Sequence, residues 1–188
     1  MEKIIKRIAT AIVLLIGGMF VLRCCMVADK TVLKNLAPTD QLMILYSENG
    51  SLDVKTVKVE QEIAEDGYFS AYAFYYIPEA EELQLTVRWN DSVYKYTDIE
   101  SGSEFSFYIL NETTGERYPM RMLESKKRSI YNYRKLAADS VSFGEEDTIT
   151  VVMELRDGFE STHYVRHGEQ PLKDYKLTGS DKRRLGGK

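Results

Sequence analysis

Cysteine is almost missing from this sequence. There are two, Cys24 and Cys25, side by side near the N-terminus. The body that follows them therefore has no thiol for a disulfide framework or a thiolate zinc site. Histidine is as scarce, with only His163 and His167, spaced H-x-x-x-H. That spacing puts two imidazoles on one face of a helix, ready for zinc. The flanking THYVRH reads as strand, where the pair lies about 13 Å apart, and no Glu stands between them. No metal site is expected, and no cofactor. No G-x-S-x-G occurs, and a serine nucleophile would have to recruit one of these two histidines as its base. No catalytic residue is assigned.

A surplus of positive charge is missing too. Net charge is −4 for the whole chain. Residues 1–23 carry +3 and the stretch from Lys173 onward carries +4, which leaves about −11 for the body between them. Nucleic acid is bound by clustered Lys and Arg that displace counterions, so no nucleic-acid partner is expected. An acidic body suits a soluble domain beside an anionic membrane.

Long apolar runs are absent except for one. Ile8 to Leu22, IATAIVLLIGGMFVL, has no charge, and Lys3, Lys6 and Arg7 precede it. Basic flank followed by apolar run is the order of an export signal, with the flank held in the cytoplasm. Fifteen helical residues reach about 22 Å, short of a hydrocarbon core of about 30 Å. Snorkelling of Arg23 lets Cys24 to Ala28 lengthen the span. The favoured reading is an uncleaved signal-anchor over residues 1–28. Cleavage and lipidation stay open as alternatives. Ala28 with Met26 makes a poor cleavage site, and Arg23 stands where a lipoprotein signal has a small residue.

Residues 29–40 read as a stalk. From Gln41 onward, apolar runs alternate with turn residues at short spacing. ELQLTVRW has period two, with Leu83, Leu85, Val87 and Trp89 on one face and Glu82, Gln84, Thr86 and Arg88 on the other. EFSFYIL and TITVVMEL repeat the alternation. QLMILY before Asn49-Gly50, KTVKVE, YFSAYAFYYIP and THYVRH read as further strands, ESKKRS as a loop or short helix, and IYNYRKL is ambiguous. No convincing amphipathic helix appears in the body. The fold class expected is all-β: an antiparallel, immunoglobulin-like β-sandwich over residues 41–177, preceded by one N-terminal transmembrane or signal helix. The resemblance is one of architecture, without the Cys–Trp–Cys hallmark. Residues 178–188, TGSDKRRLGGK, read as a disordered basic tail.

Two carboxylate clusters, Glu79/Glu81/Glu82 and Glu145/Glu146/Asp147, read as solvated turns. Their chemical alternatives are a glycosidase pair for either cluster and a calcium loop for the second. Asn90-Asp91-Ser92 and Asn111-Glu112-Thr113 are glycosylation triplets at expected turns. The aromatic run YFSAYAFYY is the candidate recognition surface. Alternation places Tyr68, Tyr72, Phe74 and Tyr76 on one face, and Tyr suits protein or sugar contacts. The function expected is a non-catalytic binding or structural module at the cell envelope. It would be single-pass in the cell membrane with its C-terminal domain extracytoplasmic, and would meet an envelope protein, a peptide or a glycan. The alternatives are a carboxylate-based hydrolase of cell-surface polymer and an accessory subunit of a membrane complex.

Overall fold

The structure is a computed structural model that describes residues 2–62, 69–90, 105–128, 131–144, 146–155, 160–166 and 172–187. The chain divides into two units, Met1–Lys34 and Asn35–Lys188. The first is a single helix, α1 (Glu2–Lys34), of 33 residues. Within it Lys3–Leu22 forms an apolar span of 20 residues whose side chains are all exposed. At 1.5 Å per residue it covers about 30 Å, of which the uncharged run Ile8–Leu22 supplies about 22 Å and the part holding Lys3, Lys6 and Arg7 the rest. The helix runs without a break past Ala28 to Lys34, so the stalk expected over 29–40 is helical in its first half.

The second unit is mostly sheet. A six-stranded antiparallel sheet is built from β1 (Lys55–Glu62), β2 (Phe69–Ile77), β3 (Glu82–Asn90), β6 (Arg121–Arg128), β7 (Tyr131–Ala138) and β10 (Lys173–Asp174), in the order β10-β1-β2-β3-β7-β6. A four-stranded antiparallel sheet holds β4 (Phe105–Asn111), β5 (Arg117–Pro119), β8 (Ile149–Leu155) and β9 (Glu160–Arg166), in the order β5-β4-β8-β9. The two sheets share one apolar core. Phe74, Leu83, Leu85, Val87 and Leu136 come from the larger sheet, and Phe107, Ile109, Val151 and Met153 from the smaller. Leu83, Leu85 and Val87 are fully buried there, on the face that period two assigned to them; the side chain of Trp89 lies outside the described residues.

The opposite face of the larger sheet is buried as well. Glu82, Gln84 and Thr86, expected at solvent, are 1%, 0% and 2% exposed. A second apolar cluster lies on this face, in which Tyr75 and Ile77 of the sheet meet Leu36, Leu42, Val54 and Leu185. Its cover is two helices that the strand pattern hid. The run QLMILY lies in α2 (Asp40–Asn49), whose N-cap Thr39 accepts the Leu42 amide and whose end is Gly50 at φ +69°. Leu42, Leu45 and Tyr46 fall three and four apart and point to the sheet. The expected disordered tail is likewise folded. Thr178 and Asp181 form a capping box that starts α3 (Gly179–Arg184), and Leu185 is buried just beyond it. ESKKR, residues 124–128 of the run expected as a loop or short helix, is most of edge strand β6, paired with β7; Ser129 lies outside the described residues.

Candidate functional site

Of the four candidate residues in the aromatic run, Phe74 and Tyr76 are buried. A bulge between Ala71 and Ala73 inserts Tyr72 as an extra residue opposite β3. One extra residue reverses the facing of everything before it. Ala71, Phe74 and Tyr76 therefore share the inter-sheet core, while Ala73, Tyr75 and Ile77 point to the helix-covered face. Phe74 is 0% exposed, and Tyr76 is buried with its ring 4.2 Å from that of Phe143. Neither belongs to a recognition platform, because a close-packed core leaves no room for a ligand. Tyr68 and the side chain of Tyr72 lie outside the described residues.

The polar residues of the helix-covered face are brought together instead. Residues 35–39, next in sequence after α1, lie along this face under a series of hydrogen bonds. Asn35 Nδ2 donates to Ser180 Oγ (3.0 Å). The Leu36 amide donates to Asp181 Oδ1 (2.9 Å). Gln84 binds Ala37 twice: Oε1 accepts its N–H (2.8 Å) and Nε2 donates to its carbonyl (2.9 Å). Thr39 Oγ1 and Gln84 Nε2 donate to the two oxygens of Glu82, at 2.9 and 2.7 Å. A buried amide and a buried carboxylate persist because every one of these partners is present. Burial pushes the Glu82 carboxyl up, and the Gln84 and Thr39 bonds partly offset this.

Beside Glu82 an open groove of about 530 Å³ is lined by Thr39, Asp40, Gln41, Arg121, Leu123 and Asp139. Arg121 grips Asp139 bidentately, Nε to Oδ2 at 2.7 Å and Nη2 to Oδ1 at 2.9 Å. The guanidinium holds the Asp139 carboxyl below its ordinary range. Two carboxyls with opposite shifts thus face one groove. All four of their oxygens already accept hydrogen bonds, which is the arrangement of structural carboxylates.

A second cluster lies under α3. Lys135 is 3% exposed, and its Nζ has no hydrogen-bond partner among the described residues. It sits opposite Glu124 on β6 and Thr86 on β3, 5.8 Å from the centre of the Tyr75 ring. Burial pushes the amine down to about 8. Arg184 of α3 pairs with Glu124. Tyr75 packs 4.7 Å from Tyr175, whose hydroxyl donates to Asp181 Oδ2 at 2.8 Å. The same oxygen accepts the amide and hydroxyl of Thr178, at 2.8 and 2.6 Å. Asp181 therefore accepts four hydrogen bonds while fully buried. Its signature, T-x-x-D before Leu185, is present in the sequence.

The remaining sequence candidates have structural partners or fall outside the description. Asn111 is 0% exposed, donates to Asp147 and accepts the amides of Thr113 and Thr114. It holds a turn, and the folded protein does not offer it for glycosylation. Asp147 also accepts the Gly144 amide; Glu145 lies outside the described residues. The other triplet, from Asp91 on, is also outside them. His163 stands opposite Val151 in β9, with its side chain outside the described residues, as is all of His167. Among the described residues no three His, Cys, Asp or Glu side chains converge. Comparison with protein-family models, with curated proteins and with solved structures finds no match for this chain.

Proposed function

We propose that this protein is a membrane-tethered, extracytoplasmic β-sandwich that acts as a non-catalytic binding or structural module at the cell envelope. The observation that carries the proposal is the exposed 20-residue apolar span at Lys3–Leu22, next in sequence to a domain with its own core. Lys3, Lys6 and Arg7 favour a cytoplasmic N-terminus and hence an extracytoplasmic body. The connectivity supports an immunoglobulin-like architecture. The order β2-β3-β7-β6 matches A-B-E-D of that fold, and β5-β4-β8-β9 matches C′-C-F-G, with β1 and β10 added beyond the A edge. By analogy with such domains, which commonly serve recognition, the body is assigned a binding role.

The partner is an envelope protein, a peptide or a glycan, and the polar groove is where it docks. Asp40 and Gln41 are exposed at the groove and free of the Glu82 network. Substituting both by Ala should leave the melting temperature within about 2–4 °C. The same variant should lose partners recovered by pull-down from crosslinked membranes. Full recovery by the folded variant would exclude the groove.

A hydrolase is the second reading, and one observation favours it: Glu82 and Asp139 have carboxyl pKa values pushed in opposite directions beside one groove. Release of soluble fragments from surface polymer by the wild type, abolished in Glu82→Gln, would establish it. No release from either protein supports the binding module.

A further inference from the structure

We infer that the segment 175–185 is a latch that opens and closes as a unit over Lys135, and that its closure holds Asn35 and Leu36 in place. The inference goes beyond the proposed binding role and does not depend on the identity of the partner.

The closed state is held by few groups. In α3 only Asp181 is buried, and Leu185 follows it. Asp181 gathers the Tyr175 hydroxyl, the Thr178 cap and the Leu36 amide on one carboxylate. Asn35 and Ser180 add a further bond. Six helical residues are too few to persist without such anchors. Losing Asp181 thus frees α3 and the Leu36 amide together, while Gln84 and Glu82 still hold Ala37 and Thr39. Against closure stands Lys135, whose buried Nζ has no hydrogen-bond partner among the described residues. A short element with a few anchors and an opposing desolvation cost opens below the global unfolding free energy.

Charge gives the latch a pH dependence with a defined sign. The groups around Lys135 are Glu124 from β6, Tyr75 from β2, Tyr175, and Asp181 and Arg184 from the latch itself. When closed, the amine titrates at about 8, below its ordinary 10.5. The open state therefore holds the proton more firmly. Raising the pH from 7 to 9 favours closure and lowers the opening constant about tenfold. Burial pushes the Tyr75 hydroxyl up to about 12, and that of Tyr175 up as well. Exposed phenols ionise near pH 10, so above about that pH the trend reverses. Closure is tightest between these limits.

Hydrogen exchange on the full chain in detergent micelles, corrected for the intrinsic pH effect, tests this. The amides of Leu36 and of Asp181 to Leu185 should share one opening constant, and it should fall about tenfold between pH 7 and pH 9. Lys135→Met should give a smaller constant with no pH dependence in that range. Thr178→Ala should raise the constant equally for both segments while leaving the β3 and β7 amides unchanged. Different constants for the two segments would overturn the inference. So would a pH dependence that survives in Lys135→Met, or exchange of both segments only through global unfolding. If Lys135→Met does not fold, the wild-type and Thr178→Ala measurements still decide.

Discussion

Gln84 departs furthest from its position in the sequence pattern. It alternates with Leu83 and Leu85, so the rule of period two places it in water. It is instead fully buried, and its amide forms two hydrogen bonds to Ala37 across 47 positions of chain. The alternation separates the faces of β3 correctly, but says nothing about what covers the polar one. Phe74 has the opposite history. Its place in an aromatic run suggests display, yet it is among the largest fully buried side chains. Phe74→Ala should destabilise the body by about 3–5 kcal/mol through lost burial and the cavity left behind. Urea denaturation measures this. A cost below about 1 kcal/mol would contradict its place in the inter-sheet core.

At the scale of elements, legibility followed the strength of the local pattern. The strands ELQLTVRW, EFSFYIL and TITVVMEL correspond to β3, β4 and β8, because each buries alternate residues in the same core. QLMILY failed as a strand because six mostly apolar residues fit either period. The deciding signals were Thr39 before the run and Gly50 after it, a helix start and stop. The TGSD of the last eleven residues carried a capping box, but its polar, Gly-containing composition suggested disorder. The Tyr72 bulge had no signal in an unbroken aromatic run, and it moved Ala71 to the face of Phe74. The groove was not legible at all. Glu82, Arg121 and Asp139 are brought together by the pairing of β3 with β7 and β7 with β6. The cap gives a test at this scale. Thr39→Ala removes both the α2 cap and a hydrogen bond to buried Glu82. It should cost about 1–3 kcal/mol in denaturant melts. An effect within about 0.5 kcal/mol would mean that α2 is not held by this residue.

Across the whole molecule, two parts of different chemistry stand in series. A basic flank and an apolar span occupy the first unit, and a cysteine-free, acidic, two-sheet body occupies the second. The first residues of the body, 35–39, are bound by its last helix and its central strand. The central claim is that the span anchors the body on the outer side of a membrane. The most direct measurement is protease accessibility in intact cells, followed by carbonate extraction of their membranes. The account predicts that a membrane-impermeant protease removes the body from outside, and that without protease the full chain resists extraction. A body protected until the membrane is ruptured, or a full chain recovered in the soluble fraction, would contradict it.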